Sequence, residues 1–178
     1  QRQMCIRDRI DTAQSYFNEE EVGQALAESG IPRRDIFLTT KVWVEHYGYE
    51  ETKKSVYISL EKLKTEYLDL MLLHQPFADY YGAYRALEDL YTEGVIRAIG
   101  VSNFYPDRLV DIANFARIVP MVNQVETHPL NQQTEAMKWM KKYDVQIEAW
   151  APFGEGRGGL FENDVLAAIG KKYNKTAA

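Results

Sequence analysis

Short strand-like runs alternate with helical patterns along almost the whole chain, and this alternation constrains the fold more than any other feature. The candidate strands are Arg9–Ala13, Ile36–Val42, Leu68–His74, Ile96–Ser102, Met121–Val125 and Gln146–Trp150, with starts 25 to 32 residues apart. Between them lie helical patterns. Asn18 reads as an N-cap ahead of Glu19, Glu20 and Glu21, which suit the positive end of a helix, and Gly30 reads as its stop. Glu50–Thr65 puts Val56, Leu60 and Leu63 on one helical face, and Tyr84, Leu87 and Leu90 repeat that spacing before Gly94. Pro106–Arg117 opens with proline at a helix start, and Thr134–Tyr143 and Asn163–Tyr173 complete the series. Strands alternating with helices at this period predict βαβ units and a parallel sheet. Leu70–Leu73 is apolar on both faces, as a strand covered on both sides must be.

No low-complexity linker interrupts the series, so residues 9–178 read as a single domain. Chains of this size bury about 70% of their unfolded surface, enough for a real core. With 46% apolar and 26% charged residues, the composition excludes collagen, low-complexity disorder and a disulfide scaffold. The net charge of −5, without a basic block, offers nothing to nucleic acid or an anionic membrane. No apolar run approaches the ~20 residues of a membrane span. Cys5 is the single cysteine and cannot form an internal disulfide, which fits the reducing cytoplasm. Gln1–Asp8 is polar and basic, with Met4 internal, and reads as a leader foreign to the domain. At the other end, Ala178 falls inside what reads as a helix.

Parallel α/β folds bind ligands beyond the carboxyl ends of their strands, so the residues there carry the functional argument. The first strand ends in Asp11 and leads to Gln14-Ser15-Tyr16; the second ends in Lys41, then Val42-Trp43. The third ends in His74-Gln75-Pro76 and the fourth in Ser102-Asn103. The fifth carries Gln124, with Glu126 and His128 beyond it, and the sixth ends in Trp150-Ala151-Pro152. Each has an ordinary structural explanation: Asp11 as a turn cap, His74 as a hydrogen-bonded core histidine, Tyr16 as a loop aromatic. Lys41 at the end of an apolar strand is harder to explain that way, because a buried ammonium requires a carboxylate, and Asp11 is placed to supply it. Together the four provide a proton donor, a cation, an anion to hold the cation, and a polar group to orient a substrate.

Other signals are weak. Gly154, Gly156 and Gly159 match G-x-G-x-x-G formally, but no acidic residue follows about 20 positions on, so a solvated loop is expected. His46, His74 and His128 lack metal-ligand spacing, and no metal is expected. Ser15, Ser29 and Ser102 lack the G-x-S-x-G context of a serine hydrolase.

Five motifs carry a family resemblance. Asp11-Thr12-Ala13-Gln14-Ser15-Tyr16 with Asn18-Glu19, Thr39-Thr40-Lys41-Val42-Trp43, Leu72-Leu73-His74-Gln75-Pro76, the segment Gly94 to Phe104, and Asn123-Gln124-Val125-Glu126-Thr127-His128-Pro129 resemble, in order, the aldo-keto reductases. The tone is that of the bacterial, diketogluconate-reductase-like branch. The resemblance implies a (β/α)8 TIM barrel, incomplete here, with about six of its eight β/α units, the second to the seventh, in this chain. It implies reduction of an aldehyde or ketone by hydride from NADPH, with a small-molecule carbonyl substrate and a monomeric full-length protein. The family tetrad falls on Asp11, Tyr16, Lys41 and His74, with Tyr16 as proton donor. A phenol keeps its proton at neutral pH, and a neighbouring ammonium favours its release.

By the same resemblance, Ser102, Asn103 and Gln124 bind the nicotinamide carboxamide and Trp150 stacks on the ring where relatives usually have tyrosine. Pro152, Phe153 and Gly154 run beside the pyrophosphate. Trp43, Phe17, Gln75 and Phe77 wall the substrate pocket, and Gln75, where many relatives have tryptophan, predicts a more polar pocket. The determinants of NADPH over NADH lie in a part of the family fold outside these residues. Two other functions stay open on the residues alone. One is a Schiff-base aldolase using Lys41, which Asp11 opposes. The other is a catalytically inactive fragment or redox-sensing binding subunit. A barrel lacking strands has open edges, so the isolated polypeptide is expected to be unstable or to aggregate.

Overall fold

The computed structural model describes residues 8–177. Cys5 and nearly all of the expected leader, Gln1–Arg7, lie outside the described residues, as does Ala178. Six parallel strands, β1 (Arg9–Asp11), β2 (Phe37–Val42), β3 (Leu70–Leu73), β4 (Ile99–Ser102), β5 (Val122–Glu126) and β6 (Gln146–Trp150), lie in chain order in one sheet. The helices are α1 (Glu19–Glu28), α2 (Tyr49–Lys62), α3 (Tyr80–Thr92), α4 (Pro106–Phe115), α5 (Thr134–Lys142) and α6 (Asp164–Lys172).

Every expected element forms, and most are shorter than the sequence suggests. In β1 the ladder ends where Thr12 N donates to Thr39 O at 2.9 Å; Ala13 is then extended and Gln14–Tyr16 make a 3₁₀ turn. Asn18 occupies the N-cap of α1, but its side chain does not cap: Oδ1 accepts from Thr12 Oγ1 at 2.7 Å instead. Pro106 does open α4. Gly94, at φ 80°, does end α3, and Val95 N turns back to Leu90 O at 3.0 Å. The last helix is capped by Asn163, whose Oδ1 accepts from Val165 N and Leu166 N, both at 3.1 Å. That helix stops at Lys172, where Lys175 N bonds Gly170 O at 2.8 Å, so the expected helix does not extend to the end of the described chain.

Side chains alternate across the strands with period two. Leu38 and Val42 of β2, Met71 and Leu73 of β3, Ile99 and Val101 of β4 and Val125 of β5 form the outer core with Val56, Leu60 and Leu63 of α2 and Leu87 and Leu90 of α3. The residues between them, Lys41, Leu72, Gly100, Ser102, Gln124 and Glu148, occupy the inner face. Register places them side by side: Lys41 beside Leu72, Leu72 beside Gly100, Ser102 beside Gln124, and Gln124 beside Glu148. The sheet curls on itself, because Gln124 of β5 donates to Asp11 of β1 at 2.7 Å although β2, β3 and β4 lie between them in the ladder. A flat sheet with strands about 4.8 Å apart would hold those two strands nearly 20 Å from each other. The architecture is therefore six β/α units of a curled, incomplete barrel. Among the described residues no helix is long and apolar enough to cross a membrane.

Candidate active site

The inner face at the carboxyl ends of the strands opens into a cavity of about 420 Å³ lined by Tyr16, His74, Gln75, Ser102, Asn103, Gln124, Trp150, Ala151 and Glu155. Lys41 lies beneath it, at the end of β2, with only 1% of its surface exposed. Its ammonium donates to Asp11 Oδ1 and, at 3.0 Å, to Thr12 O. Burial demands such pairing, and β1 and β2 supply it because Asp11 and Lys41 both end neighbouring strands on the inner face. The ammonium sits 5.1 Å from the centroid of the Tyr16 ring, which the 3₁₀ turn after β1 carries over it. Two acceptors hold the hydrogens of Lys41, whereas an aldolase lysine must present a free amine lone pair to its carbonyl.

His74 faces Tyr16 edge-on, with ring centroids 5.8 Å apart and planes at 80°. Trp43 packs against the same imidazole at 5.2 Å and 75°, and Ser15 Oγ lies 3.2 Å from its Nδ1. The ring titrates well below the ordinary histidine, at about 4. Burial is the main cause and the Lys41 ammonium the second, partly offset by Asp11. His74 is thus a neutral imidazole at pH 7 with one N–H to give.

The polar groups around it form a continuous chain. Asn103, in the left-handed region at φ 63°, folds its side chain back so that Nδ2 donates to His74 O at 3.1 Å and to Ser102 Oγ at 3.2 Å. Its Oδ1 accepts from the indole Nε1 of Trp150 at 2.9 Å. Ser102 Oγ donates to Gln124 O at 3.0 Å. Gln124 gives one amide hydrogen to Asp11 Oδ2 and the other to Glu148 Oε1, each at 2.7 Å. That double donation fixes which way the amide points and leaves Oε1 as its open acceptor. Ala151 and Glu155, also on the rim, hold φ of 47° and 55°, a conformation unfavourable for residues with a Cβ. Such backbone concentrates at functional sites.

The remaining expected site residues are placed differently. Gln75 lines the cavity, and its backbone is clamped by the buried Tyr47 hydroxyl, which donates to Gln75 O at 2.8 Å and accepts from Gln75 N at 3.1 Å. Burial pushes the Tyr47 phenol well above its ordinary value. Phe17 and Phe77 project into solvent, 89% and 61% exposed. Phe153 stacks against Phe161 at 5.8 Å, and Pro152 and Gly154 sit in the loop beyond β6 rather than on the cavity wall. Gly154, Gly156 and Gly159 lie in that loop, without a strand running directly into a helix. Sequence reasoning missed Ser15, Glu148, Ala151 and Glu155 as members of the site. Glu148 did carry a signal, being a carboxylate inside a strand, but only the register shows that it faces Gln124.

The curled parallel sheet thus has the plan of an α/β barrel, and it gathers a tyrosine, a histidine and an ion pair between a buried lysine and a partly exposed aspartate at the carboxyl ends of its strands. The pattern of the aldo/keto reductase family matches residues 6–173, and the chain belongs to that family. It is 49% identical over 170 residues to glyoxal reductase of Bacillus subtilis, a match covering 95% of this chain and 61% of that protein. Among solved structures, MGS-M4, an aldo-keto reductase from a Medee basin deep-sea metagenome library, is 45% identical with a TM-score of 0.90, covering 96% of this chain and 64% of that one. An aldo-keto reductase of Bombyx mori in complex with NADP is 31% identical with a TM-score of 0.89, covering 96% and 62%. The chain thus spans less than two thirds of the length of each of these relatives.

Proposed function

We propose that residues 9–178 form one domain that supplies the catalytic groups of a cytoplasmic, monomeric, NADPH-dependent aldo-keto reductase. Its substrate is a small aldehyde or ketone, reduced to the alcohol. The observation that carries this reading is the cluster of Tyr16 and His74 over the buried Lys41 and its partner Asp11 at one cavity.

The site suits a nicotinamide. Its volume lies in the range of small-ligand pockets. With both its hydrogens committed to carboxylates, Gln124 offers Oε1 to a carboxamide N–H. Ser102 and Asn103 adjoin it, and the Trp150 indole provides an aromatic wall. Bound NADPH supplies the hydride that attacks the carbonyl carbon. Tyr16 gives the carbonyl oxygen its proton. Lys41 places positive charge beside the phenol as that proton leaves, and Asp11 holds Lys41 in place. Neutral His74 donates a hydrogen bond to the same oxygen and orients it. Gln75 makes the pocket wall polar, in keeping with a small, oxygen-rich substrate such as the one named for the Bacillus relative.

The test is oxidation of NADPH in the presence of glyoxal and a panel of aldehydes and ketoses. It uses the polypeptide carrying this segment together with whatever its coding sequence supplies on either side. Turnover is expected with at least one carbonyl, and Tyr16→Phe is expected to lower it by about 10²–10⁴, the usual worth of a positioned proton donor. Turnover by Tyr16→Phe at the parent rate would refute the role of Tyr16, and a parent inert toward every carbonyl would refute the activity.

A further inference from the structure

We propose that Ser15 is a positioning residue: its hydroxyl donates to Nδ1 of His74, placing the single imidazole proton on Nε2 of a ring that lines the cavity. This inference rests on the carbonyl-reductase reading only for its catalytic consequence; the tautomer itself is a property of the protein alone.

A neutral imidazole has one N–H and one lone pair, and the hydrogen bond at one nitrogen decides which nitrogen carries the proton. The Ser15 Oγ···Nδ1 contact of 3.2 Å is the ring's sole hydrogen bond among the described residues. The remaining ring contacts, to Tyr16 and Trp43, are edge-on aromatic contacts that take no proton. His74 cannot turn away from Ser15 easily, because its ring is packed against Tyr16 and Trp43 and its backbone is held at both ends. Its N–H donates to Val42 O at 3.1 Å, and its carbonyl accepts from Asn103 Nδ2 at 3.1 Å. Ser15 is equally fixed, in the 3₁₀ turn whose first residue, Gln14, is anchored through Trp43 N at 2.8 Å and Ser59 Oγ at 3.1 Å.

Of the two possible directions for the contact, donation by serine pairs more groups. The Ser15 hydroxyl makes no other hydrogen bond among the described residues, so donating to Nδ1 gives its proton a partner and leaves the imidazole N–H for the cavity. The reverse direction would leave the serine proton unpaired and put only a lone pair on Nε2, which would repel a carbonyl oxygen brought to that nitrogen. The turn that delivers Tyr16 therefore also delivers the group that sets the His74 proton, and the two donors aimed at one oxygen are prepared by adjacent residues.

The experiment is ¹⁵N NMR of the imidazole nitrogens, which separates protonated from unprotonated ring nitrogen, on the protein without cofactor. His74 is assigned by its loss in His74→Gln. The expected result is protonated Nε2 and bare Nδ1 in the parent and in Ser15→Thr, with proton population appearing on Nδ1 in Ser15→Ala. In the assay, Ser15→Ala is expected to lower kcat about tenfold, the size of one neutral hydrogen bond, with KM for NADPH unchanged and Ser15→Thr restoring most of the loss. A parent with its proton on Nδ1, or a Ser15→Ala tautomer identical to the parent's, overturns the proposal. If the tautomer shifts as expected but no carbonyl is turned over by the parent, the functional reading fails and the role of Ser15 stands.

Discussion

Lys41 and Asp11 are partners of unequal exposure, and this inequality decides what each contributes to stability. The lysine is almost wholly buried, while the aspartate side chain is 39% exposed and is also held by Gln124. Asp11→Ala leaves an ammonium in the interior with a single carbonyl for company. Loss of one partner of a fully buried pair costs about 3–5 kcal/mol, and because water reaches Asp11, a loss toward or below the lower end of that range is expected from urea denaturation. Lys41→Met fills the same space with an apolar chain and leaves Asp11 solvated and hydrogen-bonded, so a markedly smaller loss is expected in the same measurement. Equal losses would contradict the asymmetry. His74 sets a pH dependence of definite sign. Its folded value lies near 4 against an ordinary 6.5, so between those values the unfolded chain binds the proton and the folded one does not. Its contribution to stability is therefore intact above about pH 6.5 and declines as pH falls toward 4. An NMR titration of His74 with a midpoint near 6.5 would remove this effect.

Among the elements, α1 is set by what its small residue permits. Gly23 lies buried on its inner face, and a Cβ there would run into the backbone of Lys62 and Leu63 at the end of α2. Glycine inside a helix ordinarily weakens it relative to alanine by about 0.5–1 kcal/mol, so Gly23→Ala would be stabilising on propensity alone. Here the helix approach reverses the sign. The substitution is expected to lower stability by about 1–3 kcal/mol, the usual penalty of overpacking, seen as a reduced denaturation midpoint. The same contact explains why the acids at the start of α1 are not equivalent. Glu19 is buried and accepts from Thr40 Oγ1 at 2.6 Å and Ser59 Oγ at 3.3 Å, tying α1 to β2 and α2, while Glu20 stays in solvent.

At the scale of the whole molecule, the curl of the sheet makes the site, because it brings Gln124 from late in the chain to Asp11 from its beginning. The same geometry has a consequence for association. Among the described residues β1 and β6 each pair on one side only, leaving two ladder edges with open backbone donors and acceptors. Such edges template pairing with further chains. The 178-residue polypeptide on its own is expected to self-associate, with light scattering rising with concentration and an irreversible melt. A monomeric species with a cooperative, reversible thermal transition would contradict this.

Much of this was legible in one dimension. The alternation of periods specified six strands and six helices in order, because side-chain burial follows the local repeat whatever the neighbours are. The residues at the strand ends were legible for the same reason: polar side chains where an apolar run stops stand out in the string, as Tyr16, Lys41, His74 and Gln124 did. What the tertiary structure alone decided is contact across long separations and the direction of hydrogen bonds. The string shows Asn18 as a cap, but the fold brings Thr12 close enough to take its oxygen. It shows Glu148 as an odd charge in a strand, but only the register sets it against Gln124. It shows Ser15 as one more loop hydroxyl, but only the convergence of two strand ends puts it on the imidazole. Local pattern depends on each residue's own preferences, whereas partnership depends on where the rest of the chain has already gone.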